Sequence, residues 1–240
     1  MNHKKNTGTL YLIPALLGGE NTHDVLPEFN HTVITGLRHF IVEDLRSARR
    51  FLRKTGFTHD FSNVHFGEIN KHTDPSEYVQ RILPLEEGFD MGLISEAGVP
   101  CLADPGAEIV KIAQQRNLRV VPLTGPSSII LALIASGFNG QNFCFHGYLP
   151  VQPPERERKI TELEKNCYAM HQTQIFIETP YRNLAMIDSL LKKCRGETLL
   201  CIACNITLEE ESIRTMPIAE WKKSALPYHK KPTVFLLFHP

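Results

Sequence analysis

Residues 90–116, DMGLISEAGVPCLADPGAEIVKIAQQR, read as a strand, a loop of small residues and a helix opened by Asp104-Pro105. Asp90–Ser95 has the length of a buried strand. Asp is a good helix cap, and Pro at a helix start loses no hydrogen bond. The same rhythm runs outward in both directions. Upstream, Thr9–Ile13 and His39–Glu43 read as strands, the second followed by a basic helix, Ser47–Thr55, that stops at Gly56. Asn63–Ile69 reads as a third strand, and Asp74-Pro75-Ser76-Glu77 as another capped helix start. Downstream, Arg119–Leu123 is a fifth strand.

Beyond it, Thr124-Gly125-Pro126 breaks the chain. Pro126–Ser136 carries almost no charge and is expected to be a helix buried on most faces. Asn142–Leu149, Gln174–Glu178 and Thr198–Asn205 read as strands, separated by the helices Glu155–Gln172 and Tyr181–Cys194. Pro150–Pro154 reads as a linker. Glu211–Thr215 and Thr233–Phe238 are late strands flanking a short helix around Trp221. This alternation defines an α/β protein with mostly parallel pairing. Ten or so strands approach the limit of one open sheet. The expectation is therefore two α/β domains, residues 1–122 with a mostly parallel sheet and residues 123–240 with a mixed one.

The 240 residues are 42% hydrophobic and 22% charged, which excludes disorder over most of the chain. Lys+Arg and Asp+Glu both number 26, so bulk positive charge cannot hold nucleic acid, although a local basic patch can. No apolar run approaches the roughly 18 residues of a membrane span. Lys4-Lys5 before LYLIPALLGG loosely mimics a leader, but Pro14 interrupts the run and no A-x-A-like site follows. The expected setting is cytoplasmic, with the six cysteines as reduced thiols. Cys201-x-x-Cys204 has metal-like spacing, yet residues three apart in a strand point to opposite faces. No metal site is expected. Neither a dinucleotide fingerprint, nor a P-loop, nor a G-x-S-x-G elbow occurs.

In open α/β sheets ligands bind beyond the carboxyl ends of strands. Four such places stand out. Ser95–Pro100 with Asp104–Gly106 offers a backbone that a ligand can approach. Thr124–Ser128 offers hydroxyls and free N–H groups at a helix start. Glu43-Asp44-Leu45-Arg46 and Glu178-Thr179-Pro180-Tyr181-Arg182 each place carboxylates and an arginine at a strand end. Plain capping with solvated arginines is the alternative at each. His146, near a strand end, is the one histidine of interest among the eleven.

Taken together, LISEAGVPCLADPGAEIV, VVPLTGPSSIILALIASGF and FCFHGYLP resemble the tetrapyrrole methylase superfamily of S-adenosylmethionine-dependent methyltransferases. Within it, the run is most similar to the ribosomal RNA small-subunit methyltransferase I branch, which methylates a cytidine ribose 2′-hydroxyl. TLYLIP, VEDLRSARRFL and IFIETPYR match further segments of that branch in order, and the similarity spans about residues 8–238. The resemblance implies a cofactor cleft between two α/β domains, S-adenosylmethionine held largely by backbone, a homodimer, and ribosomal RNA or the small ribosomal subunit as partner. By position it implies cofactor contacts at Pro14, Gly98, Val99, Leu102, Ser127 and Ser128, and at Ile177, Asn205 and Thr233 in the second domain. Glu43 or Asp44 would accept a proton, and Arg46, Glu178 and Arg182 would meet substrate. The basic helix Arg46–Lys54 is the expected RNA contact.

The sequence departs from that branch in the loop Pro14–Thr22, at Glu96, and at Cys204–Leu208, where the branch has R-E-L-T-K. The first and last changes fall where substrate would enter. Two rival readings follow: a methyltransferase of the same fold acting on a small molecule such as a tetrapyrrole, and a binding protein that keeps the cofactor cleft without catalysis.

Overall fold

The computed structural model describes residues 7–70 and 73–240. Lys4 and Lys5 lie outside the described residues. The chain forms two compact units, one ending at Ser127 and the other running Ser128–Pro240.

In the first unit the strands are β1 (Thr9–Ile13), β2 (His39–Val42), β3 (His65–Glu68), β4 (Met91–Ile94) and β5 (Arg119–Pro122). The helices are α1 (Glu28–Gly36), α2 (Leu45–Lys54), α3 (Pro75–Arg81), α4 (Leu83–Glu86) and α5 (Gly106–Gln115). The sheet order is β3-β2-β4-β1-β5, and every neighbouring pair is parallel. All four residues of β4 are buried, as a strand covered on both faces requires.

The order of the strands decides where a ligand fits. From β1 the chain moves one way to β2 and β3; from β4 it moves the other way to β5. Right-handed crossovers then put the two sets of helices on opposite faces. The packing agrees. Ile34 of α1 and Phe51 and Leu52 of α2 share a core with Ile13, Phe40 and Ile94. Tyr78 and Ile82 share another with Ile109, Ala113, Leu10 and Leu93. The switch point lies between β1 and β4, and the loops that leave these strands part there to form a crevice.

In the second unit the strands are β6 (Phe143–Tyr148), β7 (Thr173–Glu178), β8 (Leu199–Cys204), β9 (Ser212–Pro217) and β10 (Thr233–Phe238). The helices are α6 (Ser128–Ser136), α7 (Pro153–Met170), α8 (Asn183–Lys193) and α9 (Ile218–Trp221). The order β6-β7-β10-β8-β9 is mixed: β6 and β7 are parallel, whereas β10 is antiparallel to β7 and β8. Leu163 of α7 and Met186 of α8 pack with Phe176, Phe235 and the fully buried Trp221. The Trp221 indole donates to the Leu200 carbonyl at 2.8 Å, so its one polar atom is satisfied.

Two expectations need correction, and one helix has no forewarning in the sequence. α1 carries no strong sequence signal: its β-branched run Thr32–Thr35 favours a strand, and no side chain caps its start. Packing of Ile34 and a His31 ring bond to the Thr55 carbonyl hold it as a helix. α6 begins at Ser128, not Pro126, and Ile130 and Ile134 are 45% and 71% exposed, so lack of charge does not make this helix buried on most faces. Pro153 and Pro154 belong to the first turn of α7, not to a linker.

Gly125 follows from the convergence of two loops. A β-carbon there would sit 2.2 Å from Pro14 Cγ and 2.4 Å from Pro14 Cβ. The substitution Gly125→Ala is expected to destabilise by about 1–3 kcal/mol through overpacking, read as a lower denaturant midpoint at unchanged m-value. An unchanged midpoint would mean that the two loops separate freely.

Candidate active site

At the carboxyl ends of β1 and β4 the backbone itself joins the loops. The Ala15 amide donates to the Gly98 carbonyl at 2.8 Å, and the Ser95 hydroxyl donates to the same carbonyl at 3.1 Å. Gly98 has φ +69°, and a side chain there would press on Leu17 and the Pro126 carbonyl. Cys101 and Ala103 also have positive φ, at 69° and 67°, a costly conformation for residues with a β-carbon. Asp104 offsets that cost. Its carboxylate accepts the Cys101 amide and the Gly106 amide, each at 2.8 Å. Asp104 therefore fastens the loop as well as the start of α5. Burial raises its pKa above the ordinary range. Burial and the Asp104 charge push the Cys101 thiol up to about 12, so it stays a neutral thiol.

Against these loops lies a cavity of about 420 Å³. Residues 15–20 form one wall, residues 94–97 another, and Glu43, Asp44, Ser47, Arg50, Phe51 and Lys54 close it from β2 and α2. Lys54 latches the first wall: its ammonium is 2.7 Å from a Glu20 carboxylate oxygen and donates to the Gly19 carbonyl.

The two adjacent carboxylates are unlike each other. Asp44 is exposed and caps α2, accepting both the amide and the hydroxyl of Ser47 at 2.7 Å. Those bonds hold its carboxyl below the usual range. Glu43 is half-buried and accepts the Glu96 amide at 3.3 Å. Burial pushes its carboxyl above the glutamate range. The Glu96 amide pulls it back, while the charges of Asp104 and Glu96 add to the rise.

The other positions expected from the sequence divide between the units. Pro14 is buried against Gly125, Val99 is half-buried, Leu102 is exposed, and Ser127 ends the first unit. Arg46 is exposed on α2. In the second unit, Glu178, Asn205 and Thr233 meet at one end of the sheet, since Thr233 pairs with both Glu178 and Cys204. Ile177 is half-buried beside them, and Ser128 begins α6.

The Glu178 side chain has no exposed surface. One of its oxygens accepts two Arg182 N–H groups, at 2.9 and 2.6 Å, and the Thr179 amide. A carboxylate so enclosed holds Arg182 in place and does not itself face solvent. Thr233 accepts from the Asn183 amide and donates to the Lys231 carbonyl, so its hydroxyl is also engaged internally. Asn183 has no local motif to announce it, and sequence reasoning passes it by. Its amide nitrogen nevertheless ties Tyr228, Lys231 and Thr233 together. His146 bonds Gln174 at 2.8 Å on the neighbouring strand, which accounts for it structurally. Cys201 and Cys204 are both buried in β8, and burial raises both thiols, that of Cys201 to about 11.

A parallel sheet with a cavity at its switch point, lined by a carboxyl of raised pKa, is where an active site is expected. Residues 33–222 match the family model described as Tetrapyrrole (Corrin/Porphyrin) Methylases. The chain belongs to this family and is a methyltransferase. It is 31% identical over 213 residues to the Ribosomal RNA small subunit methyltransferase I of Vibrio cholerae serotype O1, covering 88% of this chain and 69% of that one. It is also 31% identical to the protein of the same name from Bacillus subtilis, covering 89% and 69%. In structure it resembles the methyltransferase CobJ (TM-score 0.62, 14% identity, 98% and 94% covered). Cobalt precorrin-4 methyltransferase is comparable (TM-score 0.61, 12% identity, 96% and 94% covered). At these identities the structural likeness concerns the fold.

The raised pKa of Glu43 links it to stability. Its carboxyl is easier to bury protonated, so the folded state loses stability as pH climbs through the folded pKa. Glu43→Gln is therefore expected to raise the denaturant midpoint at pH 7, with the gain vanishing below the ordinary glutamate pKa of 4.5. Equal midpoints at both pH values would contradict the burial described.

Proposed function

We propose that this chain uses S-adenosylmethionine to methylate a ribose 2′-hydroxyl of small-subunit ribosomal RNA. The observation that carries the reading is Glu43: a half-buried carboxyl of raised pKa on the wall of the switch-point cavity. The names of the relatives support the choice of RNA as acceptor.

The first unit fits the donor by one structural test. Its loops meet where a β-carbon on Gly125 would strike the Pro14 ring and one on Gly98 would press on Leu17 and the Pro126 carbonyl, so these two positions offer only main chain. Backbone amides and carbonyls suit the polar edges of a nucleoside without needing a glycine fingerprint. Gly98, Val99 and Leu102 would hold the donor, with Pro14 and Ser127 beside them. When bound, the donor supplies an electrophilic methyl group on a sulfonium.

The residues of the chain then do the rest. A ribose hydroxyl is a weak nucleophile and needs a proton acceptor as it attacks. Glu43 takes that proton on its carboxylate. A raised pKa makes it a stronger base than an ordinary glutamate. The Glu96 amide orients it. Asp44 caps α2 and thereby fixes the backbone next to Glu43. Leu16, Leu17 and Phe51 line the cavity and limit water. Arg182, held by Glu178, meets substrate phosphate. In this reading the protein acts as a cytoplasmic homodimer.

The test is transfer of labelled methyl from S-adenosylmethionine to small-subunit RNA, followed by alkaline hydrolysis. Label in an alkali-resistant dinucleotide is expected. Glu43→Gln should lower kcat by about 10²–10⁴-fold with donor affinity, read by calorimetry, unchanged. Asp44→Asn should keep most of kcat and lower the melting midpoint. Donor binding without RNA labelling would point to a small-molecule acceptor. No donor binding would overturn the proposal.

A further inference from the structure

We infer that three arginines on α2, Arg46, Arg49 and Arg50, form a track that grips the phosphates of the RNA strand flanking the target nucleotide. The inference rests on the ribosomal RNA reading and narrows it to named residues.

Positions 46, 49, 50 and 53 fall at i, i+3, i+4 and i+7, on one side of α2, while Ala48, Phe51 and Leu52 are buried on the other. All four arginines and Lys54 are exposed, but they are not equivalent. Lys54 is paired with Glu20. The Arg53 guanidinium lies 4.2 Å from the Phe61 ring centroid and donates to the Phe57 carbonyl at 2.6 Å. These two are engaged in holding the fold.

Arg46, Arg49 and Arg50 have no carboxylate within 4.0 Å among the described residues, in contrast to Arg81, Arg116 and Arg182. Asp44, the nearest acid in sequence, is occupied by Ser47. Arg49 is 5.4 Å from the centroids of both Phe61 and Phe66, contacts that restrain its guanidinium, and among the described residues its N–H groups have no hydrogen-bond acceptor. An arginine held in advance loses less entropy on meeting a phosphate.

The surface leads to the chemistry. Asp44, Leu45, Arg46, Arg49 and Arg50 line a groove of about 710 Å³. Asp44 and Arg50 also line the 420 Å³ cavity that contains Glu43. Groove and cavity thus share a wall, and Arg50 stands on it. Four positions along a helix advance the track by about 6 Å. A ribose delivered to Glu43 brings its neighbouring phosphates with it, and this face of α2 is where the cations await them. The chain has no net charge, so a local stripe is the form its affinity for RNA must take.

The experiment measures binding of small-subunit ribosomal RNA at a series of salt concentrations, alongside methyl transfer, for the whole chain and its variants. Arg46→Ala, Arg49→Ala and Arg50→Ala should each lower the slope of log K against log salt by about 0.7, the value per phosphate on a single strand. Arg49→Lys should recover most of the slope, and Arg53→Ala should leave it unchanged even if the melting midpoint falls. Arg46→Ala and Arg49→Ala should raise KM with kcat retained, as loss of uniform binding does. If the parent chain methylates the RNA and the three alanine variants keep its slope and KM, the track is wrong and the enzyme reading stands. If the parent chain neither binds nor methylates the RNA, both fall together.

Discussion

The carbonyl of Gly98 accepts the Ala15 amide at 2.8 Å, and this bridge between two loops is the constraint around which the first unit is arranged. It requires the chain to leave β1 and β4 side by side and then part, which the strand order β3-β2-β4-β1-β5 provides. It also requires backbone to approach backbone with nothing between. Gly98 meets that requirement with a positive φ, Gly125 leaves space for the Pro14 ring, and Asp104 holds Cys101 and Ala103 in the left-handed conformations that the loop needs. Small residues that look like weak sequence therefore let the two loops close on each other.

From that junction the functional groups take their distinct characters. Glu43 and Asp44 are neighbours in sequence with the same chemical group. One faces inward at the end of β2, and burial raises its pKa; the other turns outward to cap α2, and hydrogen bonds lower its pKa. Two neighbouring carboxylates diverge, one drawn inward and one capping, because the strand ends just before them and the helix begins just after. The same helix then divides its own basic residues: Arg53 and Lys54 stabilise local structure, whereas Arg46, Arg49 and Arg50 remain available.

Much of this is legible in the residues. Buried parallel strands such as TLYLI and MGLI announce themselves by composition, and Asp44, Asp74 and Asp104 all hydrogen-bond backbone amides where helices begin. The two-domain α/β architecture and the family follow from motifs in order. What is not legible depends on tertiary contacts. α1 is a helix against its β-branched composition because the core and the Thr55 carbonyl hold it. The exposed isoleucines of α6 show that an uncharged stretch does not reveal which face is covered. Glu178 reads as a substrate contact because it precedes Arg182, yet only burial shows that it serves that arginine. The sharing of Arg50 between groove and cavity has no signature in spacing at all.

Main-chain atoms at the switch point are proposed to grip the methyl donor, and amide hydrogen exchange detects that grip without any acceptor present. On saturation with S-adenosylmethionine, peptides covering residues 14–19 and 95–103 should gain protection, while those at the opposite end of the sheet, around His39 and His65, should not change. Protection confined to the His39–His65 end, or no protection at saturating donor, would contradict the account.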